Sequence, residues 1–597
     1  MCGIFGYNGG KEASSILLGG LYRLEYRGYD SAGVAILSET GVHRSRVAGR
    51  VEALEAHLKT HPLPPAGVGI AHTRWATHGA PTERNAHPHV SGRVTVVHNG
   101  ILENYDRLKQ ELEAAGRVLE SETDTEVIAH LLDLAYTGDP IDAIRQVSER
   151  LQGSYALALL FADHPDRVYA VRVGSPLLVG YGDGESFLAS DRTALLPHTR
   201  RYTPLGEGEM AILARDGISL FDRAGQPIQR EPLIATEGAD AVEKGPYPHF
   251  MAKEMDELPT AVRQTLAAYL HGARPFEGQL PDGRQVKELV LLGCGSAMHA
   301  CLCGQRMLER WARIPTRVYV ASEFRYCDPL LSEGTWAVAV SQSGETADTL
   351  AALRLCKERG IPTVGVVNVA TSSLSTLADQ VLYTRAGPEI AVATTKAYGA
   401  QVALLGLMAY RFARDRGCLA EDAPFSALPE ALEQVTATDG ACAEIGQRLA
   451  GCPNVFFIGR GRDYPVCVEG ALKLKEISYL HSEAYAAGEL KHGTIALLHS
   501  GVPVVALITD PCLRDKTVSN LKECRARGAE VILLCGEDVG EVPADAYDSR
   551  LTLPGGMGEL SVLPAAAALQ RIAYHAACYM GRDVDKPRNL AKSVTVE

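Results

Sequence analysis

The sequence of 597 residues contains no run of about 18 consecutive apolar residues, the length that a membrane-spanning helix needs. Its longest apolar candidate, AYGAQVALLGLMAY, is interrupted by Gln401 and preceded by Lys396. No basic region followed by an apolar one occurs at the start, so we expect no signal peptide. A long basic run is also missing, and the net charge is −13. These absences argue against membranes and nucleic acid as partners and predict a cytoplasmic protein.

The 14 cysteines include no Cys-x-x-Cys pair. Cys294, Cys301 and Cys303 lie close together, but the residues between them are typical of a buried helix. No second cluster supplies the remaining ligands of a zinc site. Buried free thiols in a reducing compartment are the better interpretation. We therefore expect no disulfide, no metal and no cofactor.

The first part of the chain, roughly 230 residues, is rich in strand patterns and has few helical ones. Strands are predicted for VGIAHTRW, RVTVVHNG, SYALALLFA, RVYAVRVG, PLLVGYG and SFLASD, and helices for NYDRLKQELEAAG and DTEVIAHLLDLAY. Such segregation predicts sheets packed face to face with helices outside. A polar segment with glycine and proline then predicts a linker over 237–248.

The rest of the chain alternates strand and helix, which predicts parallel sheets with helices on both faces. Two series of strands have nearly equal spacing, with gaps of roughly 47 and 26 residues in one and roughly 48 and 27 in the other. Their strands begin near Glu288, Thr335 and Ile361, and near Asn454, Val502 and Ala529. Each first strand ends in a Gly-x-Gly turn. The pattern predicts an internal repeat of about 165 residues, hence two similar α/β domains.

The opening heptapeptide, MCGIFGY, places a cysteine directly after the initiator methionine. Methionine removal is usual before a small residue, so the mature chain would begin with Cys2. That residue would then carry a thiol and a free α-amine, whose pKa of about 7.7–8.0 suits it to act as a base. The alternative is that Cys2 is simply a small apolar residue at the start of a strand.

Three stretches of the first domain, HTRWATHG, VVHNG and SETDTE, hold polar residues where strands end. Singly, each has a structural explanation: Asn99-Gly100 is a common tight-turn dipeptide, and Asp124 could cap a helix. Together they supply what is needed to bind a free amino acid and cleave its amide. Arg74 could hold the α-carboxylate and Asp124 the α-ammonium group. Asn99 and Gly100 could form an oxyanion hole.

The stretch AVAVSQSGETADTLAALRL predicts an anion site. A buried strand ends at Ser341, and Gln342, Ser343, Thr346 and Thr349 precede or begin a helix. Such a loop presents backbone N–H groups and hydroxyls to an anion at a helix N-terminus. Without the Gly-Lys-Ser/Thr ending of a nucleotide P-loop, it favours a monophosphate. The alternative is a merely well-capped helix. The second repeat has LITDPCL instead, so we expect one phosphate site.

The stretch EGALKLKEISYL places Glu469, Lys473 and Glu476 on one face of a helix, at i, i+4 and i+7. A solvated charged face is the usual explanation for such spacing, but the apolar neighbours favour a lined cavity. Near the end of the chain, Lys592 lies in PRNLAKSVTVE. A lone lysine there is ordinarily a surface residue.

The stretches CGIFGY, YRGYDSAG, HTRWATHG, NAHPHV, HNGILENY and SETDTEVIAHL resemble the N-terminal-nucleophile glutaminase domain of class II amidotransferases. The resemblance implies a four-layer αββα sandwich in which Cys2 attacks the glutamine amide with its own α-amine as base. It also implies Asn99 and Gly100 as oxyanion donors. The glutamine-binding residues that it implies are Arg74, Thr77, His78 and Asp124.

The two repeats resemble sugar isomerase domains, which are three-layer αβα structures with parallel sheets. Together with TTKAY, EAYAAGELKHG and DKPRNLAKSVTVE, they resemble the family of glutamine–fructose-6-phosphate aminotransferases (isomerising). The resemblance implies that L-glutamine and D-fructose 6-phosphate give glutamate and glucosamine 6-phosphate, the first step of hexosamine synthesis. Lys592 would form a Schiff base with the sugar and His492 would help to open its ring. Glu476, with Lys473 nearby, would move a proton between C1 and C2. The implied sugar-phosphate-binding residues are Ser296, Ser341, Gln342, Ser343, Thr346, Val392 and Ala591.

The family resemblance further implies a homodimer, in which His492 reaches the neighbouring subunit's site, and an internal ammonia channel with Trp75 as a candidate gate. The sequence departs from the usual family pattern at Ala297, Thr394 and Thr494. The predicted domains are a glutaminase domain over 2–236, the linker over 237–248, and an isomerase region over 249–587. That region comprises sugar isomerase domains at 280–419 and 446–587, followed by a tail, 588–597, that enters the active site.

Two alternatives remain open. One is another class II amidotransferase, although the sequence has neither a Ser-Gly-Gly-x-Asp-Ser ATP loop nor an acidic diphosphate-binding loop. The other is a sugar-phosphate sensor without catalytic activity. Cys2, Glu476 and Lys592 disfavour a sensor, because a sensor needs none of them.

Overall fold

The computed structural model of the chain describes residues 2–235, 238, 242–270, 274–418 and 423–595. The chain divides into two compact units. The first contains the residues up to Glu243 together with a terminal segment that starts at Ala591, and the second extends from Lys244 to Leu590. Part of the predicted linker, 237–248, lies outside the described residues, and the predicted domain boundaries stay predictions.

The first unit consists mainly of strands, as its sequence predicts. Its strands are β1 (Gly3–Asn8), β2 (Ser31–Ser38), β3 (Gly41–Ala48), β4 (Val68–Arg74), β5 (His89–Ser91), β6 (Val94–Leu102), β7 (Gly153–Phe161), β8 (Val168–Val173), β9 (Leu178–Tyr181), β10 (Ser186–Ala189), β11 (Arg201–Pro204), β12 (Met210–Ala214), β13 (Gly217–Phe221), β14 (Pro227–Ile228) and β15 (Leu233–Ile234). Its α-helices are α1 (Ala13–Leu24), α2 (Val51–Thr60), α3 (Tyr105–Ala114), α4 (Asp124–Ala135) and α5 (Pro140–Ser148).

The strands of this unit form two antiparallel sheets. In the described residues, one sheet has eight strands in the order β15-β11-β9-β10-β1-β4-β2-β3, and the other has seven in the order β14-β13-β12-β8-β7-β6-β5. The sheets face each other across an apolar layer that includes Ile4, Ile70, Val97 and Leu160, all fully buried. Helix α1 packs on the first sheet and α4 on the second. The predicted αββα sandwich is thereby confirmed.

The second unit alternates strands and helices. Its strands are β16 (Glu288–Gly293), β17 (Thr316–Val320), β18 (Thr335–Ser341), β19 (Thr363–Val367), β20 (Gln380–Tyr383), β21 (Asn454–Gly459), β22 (His481–Ala486), β23 (Pro503–Ile508), β24 (Glu530–Gly536) and β25 (Ser549–Leu553). Its α-helices are α6 (Phe250–Ala267), α7 (Ser296–Met307), α8 (Ala321–Phe324), α9 (Ala347–Glu358), α10 (Ser373–Leu377), α11 (Lys396–Asp415), α12 (Leu428–Ala437), α13 (Asp439–Ala450), α14 (Asp463–Ser478), α15 (Arg514–Arg525) and α16 (Val562–Tyr579).

The two repeats of this unit have the same topology. One parallel sheet has the order β17-β16-β18-β19-β20 and the other the order β22-β21-β23-β24-β25. The six strands that the sequence predicts are all present, each beginning within about two residues of the predicted start. The remaining four strands, β17, β20, β22 and β25, are the edge strands of the two sheets. They are short and partly exposed, so they lack the continuous apolar run that identifies a central strand.

The Gly-x-Gly turn after the first strand has the same backbone geometry in both repeats. Gly295 and Gly461 lie in the left-handed region, with φ of 54° and 56°. A Cβ atom on Gly293 or Gly459 would overlap the backbone at the start of the following helix. Glycine is therefore required at both ends of the Gly-x-Gly turn. The first glycine allows the close approach of the helix, and the second adopts the left-handed dihedral angle.

The longest apolar stretch of the sequence forms α11. Every residue of this helix from Lys396 to Ala413 is buried. It packs against α6 and α7 in a core that also includes residues of α14 and α16. The stretch is apolar because neighbouring helices surround it. Among the described residues, no helix combines the length and apolarity that crossing a membrane requires.

Two adjacent glycines of α1 provide a test of the packing in the first unit. A Cβ atom on Gly20 would overlap the ring of Phe5, whereas a Cβ on Gly19 would meet nothing. We expect Gly20→Ala to destabilise the unit by about 1–3 kcal/mol through overpacking. Gly19→Ala should stabilise it by about 0.5–1 kcal/mol, because alanine loses less entropy in a helix. Proteolysis of the full chain in increasing urea, with the fragments of the first unit identified, measures both. If both variants shifted the urea concentration at which the first unit is cleaved by the same amount, this packing would be contradicted.

Candidate active sites

Cys2 lies immediately before β1, beside the residue that follows β4. The Trp75 N–H donates to Cys2 Sγ at 3.2 Å. The two residues meet because β1 and β4 pair antiparallel, so the start of one strand lies next to the end of the other. Burial raises the pKa of the Cys2 thiol and outweighs the opposing effects of the Trp75 N–H and of the Arg74 charge. The thiol is therefore neutral near pH 7 and needs a base in order to react.

Asn99 and Gly100 lie inside strand β6, opposite Ala156 and Tyr155 of β7. The alternative explanation of this dipeptide as a tight turn is therefore wrong. The Asn99 side chain donates from Nδ2 to the Cys2 carbonyl oxygen at 3.0 Å. Gly100 has a φ of 138°, and a Cβ atom there would overlap a backbone carbonyl of β7, so only glycine fits. The structure thus brings the predicted oxyanion donors to the predicted nucleophile.

Asp124 is the first residue of α4, and the N-cap position belongs to Thr123. The alternative explanation of Asp124 as a helix cap is therefore wrong. The carboxylate is buried, and its Oδ2 atom accepts a hydrogen bond from the Leu102 N–H at 3.1 Å. This contact holds it beside the end of β6. The charges of Asp124 and Arg74 both act on the Cys2 thiol, which places the three groups in one electrostatic environment.

The guanidinium group of Arg74 contacts the loop that follows it. It donates to the carbonyl oxygens of His78, Gly79 and Ala80. Arg74 thereby fixes the loop that carries Thr77 and His78. In this arrangement Arg74 is committed to the loop, and its predicted contact with a glutamine carboxylate stays a prediction.

A cavity of the first unit surrounds the Cys2 thiol. Its lining residues are Cys2, Arg27, Trp75, Thr77, Asn99, Gly100, Ser175, Pro176 and Thr595. The sequence analysis missed Arg27, Ser175, Pro176 and Thr595. Arg27 could have been suspected, because it lies in the stretch YRGYDSAG; it forms a 2.5 Å ion pair with Asp191. The other three carry no chemical signal in the sequence.

The second candidate site lies where the strand order of the first repeat reverses. Strands β16 and β18 are neighbours in the sheet, but their connections run to opposite sides, which opens a crevice beyond their carboxyl ends. The loop after β16 leads into Ser296, and the loop after β18 is the predicted phosphate loop. Ligands of open parallel sheets bind at such a point.

The predicted phosphate loop is ordered by its own hydroxyls. Ser341 Oγ accepts from the Gly344 N–H at 2.9 Å, and Ser343 Oγ accepts from the Glu345 N–H at 3.2 Å. Thr346 occupies the N-cap position of α9 without a side-chain capping bond, and its hydroxyl lies 3.4 Å from that of Ser341. Because Thr346 does not cap the helix with its side chain, the alternative of a merely well-capped helix loses its main support.

Lys473, on α14, is completely buried and has two carboxylate partners. Its Nζ atom lies 2.7 Å from Glu476 Oε2 and 3.3 Å from Glu469 Oε1. Burial alone would lower the pKa of Lys473, but the two carboxylates outweigh it and raise that pKa above its ordinary value. A solvated charged face is excluded, because Lys473 and Glu469 have 0% and 1% of their side chains exposed.

Ser296 joins the two repeats at this cluster. Its hydroxyl donates to Glu469 Oε1 at 2.8 Å and accepts from Lys473 Nζ at 3.2 Å. His299 Nδ1 lies 2.7 Å from the other oxygen of Glu469. Burial raises the pKa of Glu469, but Lys473 and His299 outweigh it and leave that pKa below its ordinary value. The sequence analysis missed His299, which is one turn along α7 from Ser296.

The equivalent crevice of the second repeat is filled by its own side chains. Asp463, at the start of α14, accepts from the N–H and the hydroxyl of Thr509, the residue after β23. Arg462 Nε donates to the same hydroxyl at 3.1 Å. Burial raises the pKa of Asp463 to about 7. This closed network supports the expectation that only the first repeat binds a sugar phosphate.

Other residues singled out for the sugar site have positions of their own in the fold. His492 is exposed in the short helix Glu489–His492. Val392 donates its backbone N–H to Asp585. Thr394, one of the departures from the family pattern, donates its hydroxyl to Glu389 at 2.6 Å. Ala591 and Lys592 belong to the first unit, so their predicted roles stay predictions.

Comparisons with known proteins match both units. A glutamine amidotransferase domain matches residues 72–197, and a SIS domain matches residues 284–411 and 448–580. The chain is 49% identical, over the full length of both chains, to glutamine–fructose-6-phosphate aminotransferase (isomerising) of Symbiobacterium thermophilum. It is 46% identical over the full length of both chains to the enzyme of that name from Thermus thermophilus.

A solved structure agrees with these matches. The C-terminal domain of glucosamine-fructose-6-phosphate aminotransferase from Francisella tularensis is 36% identical and superposes with a TM-score of 0.54, covering 57% of this chain and 99% of that one. Fold, sites and matches together define a glutamine-dependent amidotransferase with two sugar isomerase domains. The chain belongs to the glutamine–fructose-6-phosphate aminotransferase (isomerising) family.

Lys473 gives a test of the buried charge cluster. Replacing it with methionine leaves Glu469 and Glu476 without their cation, and we expect a loss of about 3–5 kcal/mol near pH 8. Without Lys473, only His299 and Ser296 still oppose the effect of burial, so the pKa of Glu469 rises above its value in the unmodified chain, and the destabilisation should shrink as the pH falls through that range. Urea unfolding of the full chain at pH 8 and pH 5 measures this. Lys475→Met, at an exposed neighbouring position, is the control and should change little. If Lys473→Met lowered the free energy of unfolding by the same amount at both pH values, the charge argument would be contradicted.

Proposed function

We propose that this protein transfers the amide nitrogen of L-glutamine to D-fructose 6-phosphate and isomerises the product to D-glucosamine 6-phosphate, releasing L-glutamate. This reaction is the first step of hexosamine synthesis. The observation that carries the proposal is the full-length identity of 49% to an enzyme of that name, in a chain that has both clusters of reactive side chains.

The glutaminase half-reaction starts at Cys2. After removal of the initiator methionine, the Cys2 α-amine accepts the thiol proton, and the thiolate attacks the side-chain amide carbon of glutamine. Asn99 Nδ2 and the Gly100 N–H stabilise the oxyanion that forms. Ammonia leaves, and water releases glutamate from the thioester. Arg74, Thr77, His78 and Asp124 bind the α-carboxylate and α-ammonium groups of glutamine.

The sugar half-reaction uses the second cluster. His492 helps to open the ring of fructose 6-phosphate, and Lys592 forms a Schiff base at the C2 carbonyl with loss of water. Ammonia displaces Lys592 from C2. Glu476 then removes a proton from C1 and returns one to C2, which gives the aldose. Lys473 donates to Glu476 Oε2 and so orients the carboxylate for this transfer.

The sugar is held by the groups around the crevice of the first repeat. The hydroxyls and backbone N–H groups of the phosphate loop bind its phosphate, because they surround the N-terminus of α9. Ser296, Val392 and Ala591 complete the site. The hydroxyl lost at Ala297 leaves Ser296 as the hydroxyl of the loop after β16.

Assembly and ammonia transfer complete the proposal. The protein is a homodimer, and the exposed position of His492 suits a residue that reaches the neighbouring subunit's site. Ammonia passes from Cys2 to the sugar through an internal channel with Trp75 as its gate. Trp75 lines the Cys2 cavity and packs edge-on against Tyr29, with ring centroids 5.8 Å apart.

The two half-reactions can be separated by mutation. Cys2→Ala should abolish glutamine hydrolysis, because among the described residues no other thiol lines the cavity, yet leave the isomerisation of fructose 6-phosphate to glucose 6-phosphate largely intact. Lys592→Ala should keep glutaminase activity and stop the sugar chemistry. Glutamate, hexose phosphate and amino-sugar phosphate are measured by mass spectrometry. Glutamine-dependent synthesis by Cys2→Ala would overturn the proposed function, and failure to form amino-sugar phosphate in the unmodified enzyme would favour a sensor.

The phosphate loop is tested by removing its hydroxyls. Ser343→Ala and Thr346→Ala should each weaken fructose 6-phosphate binding about ten- to a hundredfold, since a hydrogen bond to a charged group contributes about 1.5–3 kcal/mol. Glutamine affinity without sugar should not change. Thr349→Val is the matched control, because that hydroxyl is directed to Cys294 Sγ at 3.8 Å. Titration with fructose 6-phosphate gives the affinities. Unchanged affinity in both alanine variants would make the loop a structural element only.

A further inference from the structure

The side-chain amide of Asn99 is held from both sides. Its Nδ2 atom donates to the Cys2 carbonyl at 3.0 Å, and its Oδ1 atom lies 3.1 Å from Nε2 of His72. His72 is on β4 of the first sheet, whereas Asn99 is on β6 of the second. The contact therefore joins the two facing sheets, and the His72 ring is buried, with 1% exposed.

A second contact of the His72 ring shows which of its two nitrogens carries the hydrogen. Nε2 also lies 2.9 Å from the backbone carbonyl oxygen of His98, which can only accept. Nε2 must therefore carry the hydrogen, which is shared between the His98 oxygen and Asn99 Oδ1. Burial lowers the pKa of His72 to about 3, so the ring is neutral near pH 7 and has this hydrogen as its single donor.

This donor decides which way the Asn99 amide faces. A primary amide has nearly the same shape after a turn of 180°, so sterics alone do not choose its orientation. If the Asn99 amide were rotated in this way, its NH2 group would face the His72 N–H and its oxygen would face the Cys2 carbonyl oxygen. Both contacts would pair like groups. With His72 as donor, the NH2 faces Cys2, where an oxyanion would form.

Neighbouring rings hold His72 in place. It stacks on His87 with ring centroids 4.1 Å apart and an interplanar angle of 13°. His87 Nδ1 accepts from the backbone N–H of His98 at 3.3 Å, and its Nε2 lies 3.2 Å from the Thr125 hydroxyl. Thr125 follows Asp124 at the start of α4. The stacked pair is thereby fixed to both strands and to the helix that carries the predicted ammonium-binding carboxylate.

We propose that His72 is a positioning residue for amide hydrolysis at Cys2: its Nε2–H keeps the Asn99 amide turned with its NH2 towards the oxyanion. The inference deepens the proposed function and rests on it. His72 acts through Asn99 and does not touch glutamine. Its removal should therefore affect the stabilisation of the tetrahedral intermediate more than the binding of substrate.

Substitutions at His72 separate the donor from the ring. His72→Phe keeps a planar ring to stack on His87 but removes the N–H. We expect its glutaminase kcat to fall about ten- to a hundredfold, short of the roughly 10²–10³ expected for losing an oxyanion donor outright, with the KM for glutamine within about twofold. His72→Gln, which again offers an N–H, should recover part of kcat. His130→Phe is the control, a buried histidine of α4 whose ring contacts Ser91, and it should keep kcat.

A double-mutant cycle with Asn99→Ala tests the route of the effect. If His72 acts through Asn99, adding His72→Phe to Asn99→Ala should change kcat by less than about twofold. Alkylation of Cys2 by iodoacetamide forms no oxyanion and should proceed at the same rate in His72→Phe as in the unmodified enzyme. The same loss of kcat in both backgrounds, or an unmodified kcat in His72→Phe, would overturn the inference.

Two further measurements keep the outcomes distinguishable. Should His72→Phe not fold, His72→Met also lacks a donor and is compared with His72→Gln in the same way. A Cys2→Ala variant that still hydrolysed glutamine would overturn the proposed function itself. An inactive Cys2→Ala together with a fully active His72→Phe would overturn only the role of His72.

Discussion

A buried cation is the constraint on which the second unit depends. Lys473 has no solvent exposure, so its charge must be balanced by groups that the fold brings to it. Glu469 and Glu476 come from its own helix, but the hydroxyl of Ser296 comes from the first repeat. The repeats must therefore pack with α7 against α14 for this charge to be stabilised. The same packing places a carboxylate–ammonium pair beside the crevice where the strand order of the first sheet reverses.

The two repeats have the same topology but different contacts at the equivalent crevice. In the first repeat the loops after β16 and β18 present hydroxyls and backbone N–H groups. In the second, Arg462 and Asp463 fill the same position and bond to Thr509. The open crevice has small polar side chains at its edge, whereas in the filled one hydrogen bonds join the start of α14 to the residue after β23. The same helix, α14, carries Lys473.

In the first unit, the reactive groups come from two facing sheets and must be aligned with each other. Cys2 directly precedes a strand of one sheet and Asn99 lies in a strand of the other, and the apolar layer between the sheets fixes only the distance between the sheets. Polar contacts must set the orientation. The Cys2 carbonyl and the His72 ring hold the Asn99 amide between them, and the His72 ring stacks on that of His87. Neutral imidazoles suit this layer because each can donate and accept without introducing a buried charge.

The sequence by itself determined the repeats, the central strands and the helical face of Glu469, Lys473 and Glu476, because apolar periodicity and turn residues are local properties. The αββα class followed from the family resemblance, in agreement with the strand-rich pattern. Residue types at strand ends also grouped Arg74, Asn99, Gly100 and Asp124, and the family resemblance joined Cys2 to them. The sequence left open a turn at Asn99-Gly100 and a helix cap at Asp124. The pairing of β6 with β7 excludes the turn, and the position of Thr123 as N-cap excludes the cap. His72, His299 and Thr509 were missed because their partners lie about 27 to 170 residues away along the chain. Contacts at such separations follow from how sheets and repeats pack, and no local pattern records them.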